Sequence, residues 1–196
     1  MDIERDIERV DLGPCTGYVY AGDTNRAAAV LPGAMLGGMP VNMFVIYALM
    51  NRGWTVVQVW DEWNGEDDRV EWVHARAEAA LAATPNVESR LLVAKSMSTL
   101  VGDLAARRKI PAVWLTPLLH NETCISGLRR RSAPALLVGG TADDLWDGAL
   151  ARELSEDVLE LPDADHGFCP PDLDPIGILE NQRKIVEGVG AFVDRL

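Results

Sequence analysis

The chain has 196 residues, enough to bury one good hydrophobic core, so a single domain spanning 1–196 is expected. A formal net charge of −12 argues against nucleic acid or an anionic membrane as the main partner, and the one cationic cluster, Arg129-Arg130-Arg131, reads as a solvated turn. No apolar run is long enough to cross a bilayer, and "MDIERDIERV" lacks the apolar segment of a secretory signal. Three widely spaced cysteines, Cys15, Cys124 and Cys169, suit neither a disulfide framework nor a zinc site, so a reducing cytoplasm is the expected compartment.

In chain order, short β-rich runs alternate with helix-period segments, the pattern of an α/β sheet built from crossover units. Strands are expected at 17–22 and 27–32, the second running into the Gly-rich loop "GAMLGGM" (33–39). A helix follows from Pro40, with Gly53 as its stop signal, and then the strong strand "WTVVQVW" at 54–60. The polar loop "DEWNGEDD" (61–68) leads to a helix at 69–83, with Val70, Val73, Ala77, Ala80 and Leu81 on its apolar stripe and His74 at the boundary. "RLLVA" (90–94), apolar after Arg90, is a parallel-type strand. The next helix puts Met97, Leu100, Val101, Leu104 and Ala105 on one face and ends in cations. Strands at 111–119 and 133–140, a helix at 144–154, a strand at 157–162 and a last helix from 175 complete the reading.

The chemistry centres on "VAKSMS", where Ser96 stands between a strand and a helix. A phosphate loop needs glycines whose backbone curls around the anion, and "SRLLVAKS" has none. "GAMLGGM" likewise lacks the spacing of a dinucleotide-binding turn. Two readings remain on this stretch: a serine helix cap, or a nucleophile elbow. The elbow requires small residues two places either side of the nucleophile, here Ala94 and Ser98. A serine nucleophile also needs a base and an orienting acid. Asp143 or Asp144 follows the strand "ALLVGG", and His166 follows "VLELP". Serine, acid and histidine thus come in chain order at successive strand ends.

On these motifs the chain resembles a small, cap-less α/β-hydrolase, similar to the dienelactone-hydrolase-like serine hydrolases, from about residue 27 to the last helix. The resemblance implies an α/β-hydrolase fold: a mostly parallel central sheet, helices on both faces and no cap domain. It implies a triad of Ser96, Asp143 and His166, with Asp143 preferred to Asp144 because the family's G-T/S-x-D turn falls on Gly140-Thr141-Ala142-Asp143. The oxyanion hole would come from the backbone N–H groups of Met97 and Ala34, with Met35 the alternative to Ala34. The implied chemistry is hydrolysis of a small neutral ester, thioester or amide through an acyl-enzyme, or transfer to another acceptor, without a cofactor. This sequence departs from the family at Ala94 and Ser98, which replace the elbow glycines, and at Pro32-Gly33, which replaces a His-Gly pair. Dienelactone hydrolases themselves carry a cysteine nucleophile. The competing reading is a non-catalytic binding or partner protein with a drifted elbow.

Met35, Trp63, His120, Trp146 and Phe168 are the candidates for lining a substrate pocket. For the aromatic residues the alternative is core packing beneath loops, and for His120 an exposed loop position. Asp61 and Glu62 would disfavour an anionic substrate. The Asp-rich segment "PDADHGFCPPDLDP" has no recognised ligand spacing, so no metal is expected. A small-molecule substrate is the expected partner, and the sequence does not define an oligomeric state.

Overall fold

Apolar runs too short to be helices form one eight-stranded sheet in the computed structural model, which describes residues 7–35 and 40–196. The strands are β1 (Ile7–Asp11), β2 (Thr16–Tyr20), β3 (Asp23–Leu31), β4 (Trp54–Trp60), β5 (Ser89–Lys95), β6 (Ala112–Leu115), β7 (Ala135–Gly140) and β8 (Asp157–Leu161). The helices are α1 (Pro40–Met50), α2 (Arg69–Ala82), α3 (Gly102–Arg108), α4 (Glu122–Arg129), α5 (Gly148–Leu154) and α6 (Pro175–Val193), with a 3₁₀ turn (Ser96–Val101) leading into α3. The end of the Gly-rich loop, 36–39, lies outside the described residues.

The strand order is β1-β2-β4-β3-β5-β6-β7-β8. The six strands from β3 to β8 run parallel, while β2 pairs antiparallel with both β1 and β4. From β3 the chain crosses through α1 to β4 on one side, then returns through α2 to β5 on the other. Right-handed crossovers taken in opposite directions place their helices on opposite faces. Accordingly α1 and α6 pack over one apolar layer, including Val45, Ile46, Leu49, Ile185 and Val189. The other layer holds Trp72, Val73, Leu104, Leu128 and Leu154 from α2 to α5. The reversal at β3 and β5 is the place where open parallel sheets leave a crevice at their carboxyl ends. Ser96 follows β5 there.

Several boundaries differ from the sequence reading, each for a physical reason. The charged N-terminal stretch, given no strand from sequence, supplies β1; as an edge strand its charges face solvent, which suits an edge. The strand expected at 111–119 ends at Leu115, because Thr116 turns to φ +45 and Pro117 has no N–H to extend the ladder. The stretch between the strands expected at 111–119 and 133–140, given no helix from sequence, contains α4, whose Thr, Ser and Gly have low helix propensity. Asn121 caps it, and Cys124, Ile125 and Leu128 are buried beneath it. The cationic cluster is therefore not a free turn: Arg129 closes α4 and pairs with Glu153, and Arg131 donates to the Leu154 carbonyl. α5 starts at Gly148 rather than 144 because Asp147 caps it, which leaves 141–147 as a turn. No helix among the described residues is long and apolar enough to cross a membrane.

Candidate active site

The turn after β5 has the geometry that a nucleophile elbow demands. Lys95 is extended (φ −109°, ψ 136°), Ser96 switches to φ +51°, and the 3₁₀ turn begins at once. A left-handed backbone is costly for a non-glycine residue, and such strain persists only where the surroundings over-determine it. Both small flanking residues are consumed by packing. Ala94 is fully buried in the layer beneath α2 and α3. Ser98 is buried too, and its hydroxyl donates to the Pro32 carbonyl, tying the elbow to the loop after β3. That loop runs alongside the serine, since a Cβ built on Gly33 would lie 3.4 Å from the Ser96 Cβ.

His166 and Asp143 converge on Ser96. His166 Nε2 lies 2.7 Å from Ser96 Oγ, and His166 Nδ1 lies 2.7 Å from Asp143 Oδ2. The other carboxylate oxygen, Oδ1, accepts the Leu145 N–H at 2.9 Å. The Asp143 side chain is only 2% exposed, whereas Asp144 is exposed, so the acid facing the histidine is Asp143. Burial alone would raise the Asp143 carboxyl. The hydrogen bonds from His166 and Leu145, with the charges of His166 and Lys95, outweigh burial and hold it below its ordinary value.

The loops carrying these groups are braced locally. Gly140 ends β7 where the Ala164 carbonyl of the histidine loop occupies the space of a side chain, so only glycine fits. Asp165 Oδ1 accepts the Gly167 and Cys169 N–H groups, each at 2.8 Å, and so shapes the turn around His166. From α6, buried Asn181 donates to the Phe168 carbonyl at 3.0 Å.

No sequence-family model matches the chain, and no curated protein sequence does. Solved structures do. Est1E from Butyrivibrio proteoclasticus, in a structure with bound ferulic acid, is 12% identical, with a TM-score of 0.72 over 96% of this chain and 98% of its own. A dienelactone hydrolase from Anabaena variabilis is 14% identical, with a TM-score of 0.69 over 95% and 99%. A lid-less α/β serine hydrolase from Xanthomonas campestris is 16% identical, with a TM-score of 0.66 over 93% and 92%. The chain has the α/β-hydrolase fold.

Within this α/β-hydrolase fold, of the two expected oxyanion residues Met97 follows Ser96 in the chain and Ala34 follows Gly33, whose position adjoins the Ser96 Cβ. Met97 is the second residue of the 3₁₀ turn, where the first N–H groups have no intrahelical acceptor. Ala34 lies in the tethered loop, and its carbonyl accepts the Trp63 N–H at 3.0 Å, fixing the peptide plane that follows it. Met35, beside it, is 65% exposed. Trp63 is half-buried against the same layer as Ala34, with its indole N–H on the Asp67 carbonyl and Arg69 stacked 4.7 Å from its ring.

Three other expectations are corrected by this hydrolase fold. Phe168 is completely buried in the α1/α6 layer and so supports the site from beneath instead of lining a pocket. Trp146 packs its ring onto Gly139 of β7 and donates from Nε1 to Glu160 at 2.8 Å, so it covers the sheet rather than the serine. Asp61 pairs with Arg76 at 2.9 Å, which removes it as a free repulsive charge and leaves Glu62 exposed beside it. His120 is exposed in the turn before α4. Sequence reasoning considered Lys95 only as part of a phosphate loop, weighed Asp165 only as a metal ligand, and passed over Asn181. For Lys95 a signal existed: a lysine directly following the apolar run Leu91–Ala94 within one strand.

Proposed function

We propose that the chain is a serine hydrolase acting on a small neutral ester, thioester or amide through an acyl-enzyme intermediate. The observation that carries this reading is the unbroken hydrogen-bonded series Ser96–His166–Asp143, with both His166 contacts at 2.7 Å. Ser96 Oγ attacks the carbonyl while His166 Nε2 takes its proton. The oxyanion is received by the N–H groups of Met97 and Ala34. His166 then returns the proton to the leaving group, and water repeats the sequence to release the acid. Asp143 keeps the proton of the neutral imidazole on Nδ1 and balances the imidazolium when it forms.

The lost elbow glycines motivate a non-catalytic alternative. Against it stand the positive φ of Ser96 and the bond from Ser98 to Pro32, which are features of a closed elbow. Similar structures include a thioesterase domain from a curacin pathway and Est1E with ferulic acid, which supports acyl substrates as the class. The three cysteines are all free thiols, in keeping with a cytoplasmic protein. The test is hydrolysis of a nitrophenyl ester series of rising acyl length, paired with mass analysis of the fluorophosphonate adduct. Turnover with the adduct on Ser96 is expected. A folded protein that neither turns over these esters nor accepts the probe would refute the reading.

Ser98 gives a graded prediction within this reading. Ser98→Ala keeps the small size the elbow needs but leaves the Pro32 carbonyl without its donor. A loss of about 1–2 kcal/mol of stability is expected from the unpaired buried group. The loosened oxyanion loop should lower kcat about 3- to 10-fold with KM little changed. Thermal unfolding and ester kinetics measure the two effects, and an unchanged kcat would show that the tether does not place the oxyanion donor.

A further inference from the structure

Ser96 follows β5 and His166 follows β8, with β6 and β7 between them in the sheet. A 2.7 Å contact between elements so far apart needs something to set their separation. Lys95 bridges that span. Its backbone ends β5 immediately before Ser96, and its ammonium donates to Thr116 Oγ1 just past β6 (3.0 Å) and to the main-chain oxygen of His166 itself (2.9 Å). The Phe168 ring lies 5.3 Å from Nζ on a further side. The residue is 4% exposed, although charged side chains are rarely buried unless function or pairing requires it. Of the six non-glycine residues with left-handed backbone among the described residues, Ser96 adjoins Lys95 in the chain, and Thr116 and Phe168 touch its side chain. Strain gathered in this way around one group marks a built arrangement.

We propose that Lys95 is a positioning residue of the hydrolytic site, whose ammonium ties the nucleophile's strand to the main chain of the base and so sets the Ser96–His166 separation. This inference rests on the serine-hydrolase reading above. The charge matters as well as the geometry, because a charge-assisted hydrogen bond is about twice as strong as a neutral one. The groups facing the ammonium are the Asp143 carboxylate from the turn after β7, the Asp165 carboxylate and Cys169 thiol from the histidine loop, and the Thr116 hydroxyl from just past β6. Burial pulls Lys95 down to about 8 against the upward pull of the two carboxylates. Below that pH the strut is charged and tight. Above it the amine still donates but more weakly, and the base is held less firmly.

The test is the second-order rate of fluorophosphonate labelling of the full chain between pH 6.5 and 10. For the native protein the rate should fall about 10-fold, with a midpoint near the value at which Lys95 titrates. Lys95→Gln and Lys95→Met should label about 10- to 100-fold more slowly at pH 7, the scale of a small misplacement of catalytic groups, with KM for a nitrophenyl ester within about two-fold. Neither variant should show the limb near pH 8. A native rate flat from pH 7 to 10 overturns the proposal even where neither variant folds. So does a folded Lys95→Gln that labels at the native rate with the native pH limb. If labelling depends on Ser96 but not on Lys95, only this inference fails. If the native protein labels at no pH, the serine-hydrolase reading fails and takes the inference with it.

Discussion

Ser96→Ala is expected to lower ester hydrolysis by on the order of 10⁵- to 10⁶-fold and to abolish fluorophosphonate labelling, with the fold unchanged. The size of the loss follows from removing the atom that, in the proposed mechanism, bonds to the substrate, since among the described residues no other hydroxyl is hydrogen-bonded to His166 Nε2. The fold survives because the bonds holding the turn do not use the Ser96 side chain: Thr99 Oγ1 donates to the Ser96 main-chain oxygen at 2.6 Å, and Ser98 reaches Pro32. A companion variant tests the strain directly. Ser96→Gly should be equally inactive but more stable than Ser96→Ala by about 1 kcal/mol, because φ +51° costs glycine little and alanine more. Thermal unfolding of the pair measures this. Equal stabilities would mean that the elbow carries no backbone strain worth relieving.

Asp143→Asn should cost on the order of 10⁴-fold in kcat with KM little changed, the scale seen when the orienting aspartate of a serine triad is made neutral. The mechanism is visible in the two bonds the carboxylate accepts, one from His166 Nδ1 and one from the Leu145 N–H. An amide has a single oxygen. If that oxygen keeps the Leu145 N–H, the amide NH₂ faces Nδ1 and selects the tautomer with its proton on Nε2. His166 then presents a donor to Ser96 instead of an acceptor, and general-base catalysis is lost. Kinetics and labelling read the loss, and activity within 10-fold of native would contradict the orienting role. Stability should respond to pH as well. The Asp143 carboxyl is held below its ordinary value, so its ionised form stabilises the native state at neutral pH. That contribution is lost as pH falls through its folded-state value. The stability difference between native protein and Asp143→Asn should therefore shrink between pH 7 and pH 3. A difference that grew on acidification would contradict the assignment.

Much of this site was legible because its signals are local. Ser96, Asp143 and His166 each stand just past an apolar run, and a strand end is a short-range feature that alternation and turn residues declare. The choice of Asp143 over Asp144 rested on a resemblance, and burial of the one beside exposure of the other agrees with it. The aromatic residues were different. Trp146 and Phe168 stand close to Asp143 and His166 in sequence, yet one packs onto Gly139 and the other lies beneath the sheet end. Sequence adjacency gives a side chain's neighbourhood but not its direction, which depends on where a turn has put the backbone; Phe168, at φ +65°, is such a turn residue.

The sequence by itself determined the alternation of strands and helices, the small residues that permit a tight turn at Ser96, and the chain order of Ser96, Asp143 and His166 at successive strand ends. These depend on periodicity and steric size, which are properties of neighbours. Tertiary structure alone decided that Ser98 would bond to Pro32 across 66 residues, and that the Lys95 ammonium would meet a hydroxyl 21 residues away and a carbonyl 71 residues away. A buried hydrogen bond is formed by whatever the folded chain brings within about 3 Å, and no local pattern records that partner.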